Sequence, residues 1–203
     1  KGARLNAIAR PSRYVTPVKT RILAGGIHSA KQQVVRIDRA GSRPGAEVLP
    51  KLERALARAI RRADAVIVSD YGGGLATPGF WQRAVASARR RKPSTALIDS
   101  RYNLTGFTGM TACTPNESEV EAVLGIRIND DRALLEHAGR QLLTRLRCQA
   151  VLVTRGSRGM ALLERGRRTD HIAIEGSDKV ADVTGAGDTV IATFAVGLAA
   201  GAT

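Results

Sequence analysis

A glycine turn, a helix and an acid standing together make the strongest chemical signal in this chain. Gly185-Ala186-Gly187 interrupts an extended run from Val180 to Val183. Thr189 to Ala200 then read as an almost uncharged, Ala-rich helix that Gly201 stops. A glycine turn that opens a helix leaves several backbone amides unpaired at the positive end of the helix dipole, a site for an anion and most often for phosphate. Asp188 falls in the first turn of that helix. An anion hole beside a carboxylate supplies two parts of one reaction: a grip on a phosphoryl group and a base for the hydroxyl that attacks it. The bland alternative is a turn before a buried helix, with Asp188 as a capping charge. Two other phosphate motifs fail: Val190 stands where a dinucleotide fingerprint needs a small residue, and no Gly-Lys-Ser/Thr occurs.

The elements that must position this site alternate between strand and helix. Pro50 opens a helix with Leu52, Leu56, Ala59 and Ile60 on one stripe. Ala65 to Val68 read as a buried strand leading to Ser69 and Asp70, and a helix runs from about Pro78 to Arg91. Thr95 to Ile98 form the next strand, ending at Asp99, and Met110 to Thr114 another. Asn116 caps a helix through Leu124, with Glu119 at the third position as in a capping box. A longer helix covers Arg132 to Leu146. Ala150 to Val153 end at Thr154-Arg155-Gly156, and a hairpin spans Met160 to Ile174. This rhythm predicts an α/β fold with a mostly parallel central sheet flanked by helices. In such sheets ligands bind beyond the carboxyl ends of the strands, so topology alone gathers Asp70, Asp99 and Thr154 on one edge.

Before that core lie an irregular stretch, 1–14, and two strand patterns, Val18 to Ala24 and Lys31 to Asp38, joined through Gly25-Gly26. They predict an antiparallel hairpin carrying Lys19 and Arg21. Pattern alone leaves it either a lid over the site or an edge of the main sheet. The polar loop from Arg39 to Gly45 is the boundary, dividing a hairpin unit, 15–40, from an α/β core, 41–203.

The chain has 203 residues, enough for one domain with a small appendage. With 43% apolar and 3% aromatic residues, aliphatic packing must dominate the core. No run approaches the ~20 apolar residues of a membrane span, and no secretory leader is visible. Cys113 and Cys148 lack His at ligand spacing and read as ordinary thiols of a reducing cytoplasm. The net charge of +14 comes mainly from Arg, Lys occurring at only six positions (1, 19, 31, 51, 92 and 179). A single-strand nucleic-acid binder interleaves aromatics with its charge, and these are scarce here, so solvated helix faces account for the basicity.

Asp182-Val183-Thr184-Gly185-Ala186-Gly187-Asp188 resembles the C-terminal signature of the PfkB/ribokinase family of sugar kinases. The resemblance implies a ribokinase-like fold with a β-hairpin lid, ATP and Mg2+ as cofactors, the Gly185, Ala186 and Gly187 amides facing the transferring phosphate, and Asp188 as catalytic base, with Thr184 beside them. Asn116 and Glu119 are similar to the family's Asn-x-x-Glu element, which places Mg2+ through water. Thr154, Arg155, Gly156 and Gly159 look like its nucleotide-side loop.

Thr16 to Gly25, Gln32 to Asp38, Ser69 to Gly74 and Ile98 to Arg101 resemble one branch, the heptose 7-phosphate kinase domains. That implies transfer to an anomeric hydroxyl, substrate contacts from Lys19, Arg21, Asp70, Asp99 and Arg101, and a homodimer through the lid. The family's N-terminal Gly-Gly-Ala-Asn signature and the segment after Gly201 are missing, which implies part of a longer kinase domain. Gly73 stands where relatives commonly carry Lys. The alternatives are a kinase of the same fold for another sugar, a non-catalytic relative, and a basic nucleic-acid-binding domain.

Overall fold

The computed structural model describes residues 7–25, 32–88, 94–175 and 185–202. The extended run expected at Val180 to Val183 lies outside them. Two antiparallel strands come first, β1 (Val18–Ala24) and β2 (Gln32–Arg39). They form a sheet of their own, so the hairpin is not an edge of the main sheet. Every residue on both strands is exposed, including Val18, Ile22, Val34, Val35 and Ile37. At its base, the Val15 amide donates to Ser42 Oγ and the Ser42 amide to the Val15 carbonyl.

The core is a six-stranded sheet in simple sequential order. Strands β3 (Ala65–Asp70), β4 (Thr95–Ser100), β5 (Ala112–Cys113) and β6 (Ala150–Thr154) are parallel. Strands β7 (Met160–Glu164) and β8 (Asp170–Ile172) then return antiparallel. Helices α1 (Leu49–Ile60), α2 (Pro78–Ser87), α3 (Glu117–Leu124) and α4 (Arg132–Leu146) send apolar side chains into the larger cluster. Helix α5 (Ala186–Ala199) sits against β3 and β4 and packs Ile191 and Ala195 into the smaller one.

The alternation of a strand decides which residue meets which layer. On β4, Ala96 and Ile98 enter the larger cluster while Leu97 between them enters the smaller. Helix α4 shows the other period: Leu135, Ala138, Leu142 and Leu146 recur every three or four residues and are buried. Each such leucine contributes about 1.5–3 kcal/mol by leaving water. Helix α4 keeps its expected bounds, opened by Asp131, whose carboxylate accepts from the Leu134 amide at 2.9 Å.

Helix α5 begins three residues before the expected Thr189, at Ala186. Glycines read as a break, yet here Gly185 is the cap, at φ +82°, and Gly187 lies in the first turn. Cys113 and Cys148 are both buried and close enough to share a hydrogen bond, which together with burial pushes the Cys113 thiol up.

Candidate active site

The parallel strands end at a cleft of ≈ 160 Å³, lined by Ser69, Asp70, Tyr71, Asp99, Arg101, Thr114, Asn116, Glu119, Thr154 and Gly187. Parallel topology brings these together, since β3 to β6 all point their carboxyl ends the same way. The first turn of α5 forms one wall. Ala186, Gly187 and Asp188 occupy its first three positions, whose amides have no acceptor inside the helix. Among the described residues nothing lies within 4 Å of a side-chain carbon placed on Gly185 or Gly187. Of this turn Gly187 lines the cleft, and free amides at a helix start are the groups an anion hole uses.

Asp188 reaches the cleft through Tyr71. The Tyr71 hydroxyl donates to Asp188 Oδ1 at 2.9 Å. That bond, partial burial and the negative charges of Asp188 and Asp99 hold the phenol above its ordinary value, so it remains a donor. Tyr71 belongs to the Ser69 to Gly74 run, but sequence alone gives it no role; nothing in its spacing points to a residue 117 positions away.

Asp99 lines the cleft together with Asp70 and Glu119. Burial pushes its carboxyl up to about 6, aided by the charges of Glu119, Asp188 and Asp70. Asp70 is differently engaged. It is buried, and its two oxygens accept from the Gly72 amide at 2.9 Å and from Ser100 Oγ at 2.8 Å. Its carboxylate shapes the Gly72 turn, where φ is +77°, at the edge of the cleft that it lines. Arg101 lines the cleft with its guanidinium 5.6 Å from the Tyr102 ring.

Asn116 and Glu119 form the expected capping box. Asn116 Oδ1 accepts from the Glu119 amide and Glu119 Oε2 from the Asn116 amide, both at 2.9 Å. This leaves Glu119 Oε1 without a partner in the cap. The buried Thr114 Oγ1, in the same cleft, has no hydrogen-bond partner among the described residues. The walls are thus rich in oxygen and hold one orphaned hydroxyl, chemistry that suits water around a hard cation. Among the described residues no cluster of three His, Cys, Asp or Glu side chains could hold a metal directly. The oxygen donors of Asn116, Glu119 and Thr114 fit a hard cation such as Mg2+ held through water.

Arg155 and Gly159 are engaged elsewhere in the fold. Arg155 does not extend toward the cleft: its Nε donates to Glu117 Oε2 at 2.6 Å and the side chain is buried. A neighbouring carboxylate 38 residues earlier has taken the charge. Gly159, at φ +77°, approaches the Ile172 carbonyl of β8, so its lack of a side chain serves the hairpin. Thr154 does line the cleft, and Gly156 opens the turn after it at φ +58°. Lys19 and Arg21 lie on the exposed hairpin and are not among the cleft residues. Thr184 lies outside the described residues.

Residues 83–203 match the model of the pfkB family of carbohydrate kinases. The chain belongs to that family. It is also 37% identical over 205 residues to the bifunctional protein HldE of Geobacter sulfurreducens, a match covering 99% of this chain and 40% of that protein. HldE of Methylococcus capsulatus is 39% identical over 175 residues, 85% of this chain and 35% of its own length. The chain thus spans about 40% of the curated relatives it matches. Among solved structures, phosphofructokinase-2 from Escherichia coli in complex with potassium aligns with a TM-score of 0.67 at 15% identity, over 83% of this chain and 55% of that one. Arabidopsis thaliana ribokinase with ribose and ATP aligns with a TM-score of 0.60 at 20% identity, over 83% and 53%. The fold is ribokinase-like, as the sequence resemblance implied.

Proposed function

We propose that this chain is the catalytic part of an ATP-dependent kinase that phosphorylates the anomeric hydroxyl of heptose 7-phosphate, giving the 1,7-bisphosphate. The observation that carries the reading is the shared cleft: Gly187 in the first turn of α5, Tyr71 with its bond to Asp188, and the Asn116–Glu119 cap meet at one edge of the sheet. Family membership and the likeness to HldE proteins support it, and the branch resemblance chooses the sugar.

In this reading Asp188 takes the proton of the acceptor hydroxyl as its oxygen bonds to the γ-phosphorus and ADP leaves. The Gly185, Ala186 and Gly187 amides hold the charge on the migrating group. Thr154 and Gly156 border the nucleotide phosphates, with Thr184 beside them. Asn116 and Glu119 hold Mg2+ through water, and the ion, when bound, neutralises phosphate charge. Asp99 and Arg101 face the sugar side. Lys19 and Arg21 contribute from the hairpin if it closes as a lid. An isolated two-stranded sheet with exposed apolar side chains gains stability from a partner, so the same hairpin would pair two subunits.

The test is ATP consumption by the intact protein with heptose 7-phosphate beside other sugars and sugar phosphates. Turnover at least about a hundredfold faster with the heptose, near 2.7 kcal/mol of discrimination, supports the reading. Preference for another sugar overturns the substrate and leaves the kinase. No transfer to any sugar overturns both.

A further inference from the structure

Glu117 joins the loop after β6, the strand whose last residue Thr154 lines the cleft, to the connection between α3 and α4. It is the first residue of α3, and its side chain is only 11% exposed. Oε2 accepts from Arg155 Nε and Oε1 from Arg158 Nη2, each at 2.6 Å. The same guanidinium groups reach the connection between α3 and α4. Arg155 Nη2 donates to the Asn129 carbonyl at 3.4 Å, and Arg158 Nη1 donates to that carbonyl at 2.7 Å and to Asp130 Oδ1 at 2.6 Å. Two cations and two carboxylates thus close a network in which both Glu117 oxygens are occupied. The main chain makes a parallel link: the Thr154 amide donates to the Pro115 carbonyl at 3.0 Å, and Asn116 bridges Thr154.

A buried ion pair is a poor source of stability, because desolvation offsets most of its attraction. It does fix geometry, since a charge-assisted bond to each oxygen leaves the carboxylate a single orientation. What it fixes here is the distance between Asn116 and Glu119 on one side and the Thr154–Gly156 segment on the other. On the reading proposed above, those are the metal-water and nucleotide-phosphate halves of the site.

We propose that Glu117 is a positioning residue, locking the loop after β6 to the cap of α3 so that the two halves meet MgATP at a set spacing. The inference rests on the kinase reading. The expected effect resembles removal of an outer-shell partner at a metal site: in the intact protein Glu117→Gln raises the KM for MgATP about tenfold. The KM for the sugar phosphate stays within about twofold, because the ground-state binding that Glu117 supports lies on the nucleotide side. Amides of Gly156 to Gly159 exchange faster with solvent. Glu117→Asp, which keeps the charge, restores part of the MgATP affinity, and Arg155→Gln added to Glu117→Gln costs nothing further, as expected of one unit.

An unchanged KM for MgATP in folded Glu117→Gln, equal rises in both KM values, or additive single and double effects each overturn the proposal. If Glu117→Gln does not fold, Arg158→Gln, half exposed at the rim, takes its place with the same split expected and the same results overturning it. Wild-type protein without phosphoryl transfer sinks the kinase reading itself and the clamp with it, an outcome seen before any variant is made.

Discussion

Tyr71 and Asp188, 117 positions apart, are joined by a 2.9 Å hydrogen bond that ties the loop after β3 to the first turn of α5. The phenol is the donor and the carboxylate the acceptor, so the bond orients Asp188, the residue proposed above to take the proton of the acceptor hydroxyl. Tyr71→Phe removes only that donor. A neutral donor to a charged group at a half-open site is worth about 1 kcal/mol, which predicts a loss of about fivefold in kcat with the KM for MgATP nearly unchanged. Steady-state kinetics on the intact protein checks this; an unaltered kcat would show that Asp188 needs no such orientation.

Asp99 predicts an unusual pH dependence of stability. Its carboxyl is raised from 3.8 to about 6, so between those values the folded state keeps a proton that the unfolded chain has released. Stability attributable to Asp99 is therefore fully present below about pH 4 and is lost as pH rises toward 6. Asp99→Asn should stabilise the ligand-free protein at pH 7 by about 1 kcal/mol, after discounting for solvent screening at a partly exposed group. Thermal unfolding across pH 4 to 7 measures it, and identical slopes for both proteins would contradict the account.

Glu119 has two proposed tasks that one substitution separates. Glu119→Gln retains a side chain able to cap α3, so folding should change by less than about 0.5 kcal/mol. The Mg2+ concentration for half-maximal activity should rise several-fold, because a carboxylate oxygen facing the cleft is gone. A metal titration that does not move leaves Glu119 with the capping role alone.

Gly159→Ala tests whether that residue serves the hairpin rather than the nucleotide. The added carbon would meet the Ile172 carbonyl at a backbone already held at φ +77°. A loss of at least about 2 kcal/mol is expected from strain plus displacement of β8. Chemical denaturation gives the number; near-wild-type stability would return Gly159 to the nucleotide loop.

Much of the architecture was legible because it rests on local patterns. Helix α1 follows from the three- and four-residue spacing of Leu52, Leu56, Ala59 and Ile60, the α3 cap from Asn116 and Glu119, and β1 from alternation. The gathering of Asp70, Asp99 and Thr154 followed from parallel topology alone. What the chain did not disclose were choices between partners distant in sequence. Arg155 follows a strand and precedes a glycine, as a phosphate ligand would, but Glu117 captures it. The bonds that Asp70 accepts from Ser100 and Gly72 were likewise hidden. The hairpin's independence was hidden too, because alternation marks a strand without saying which sheet receives it.

The central claim is that Asp188 accepts the proton while the α5 turn holds the phosphoryl group, and single-turnover transfer by Asp188→Asn in the intact protein tests it most directly. The amide preserves size and the Tyr71 donor but cannot take up the proton. Transfer should fall by about 10²- to 10⁴-fold, with MgATP affinity within about threefold of wild type. Transfer at a near-normal rate would contradict the account.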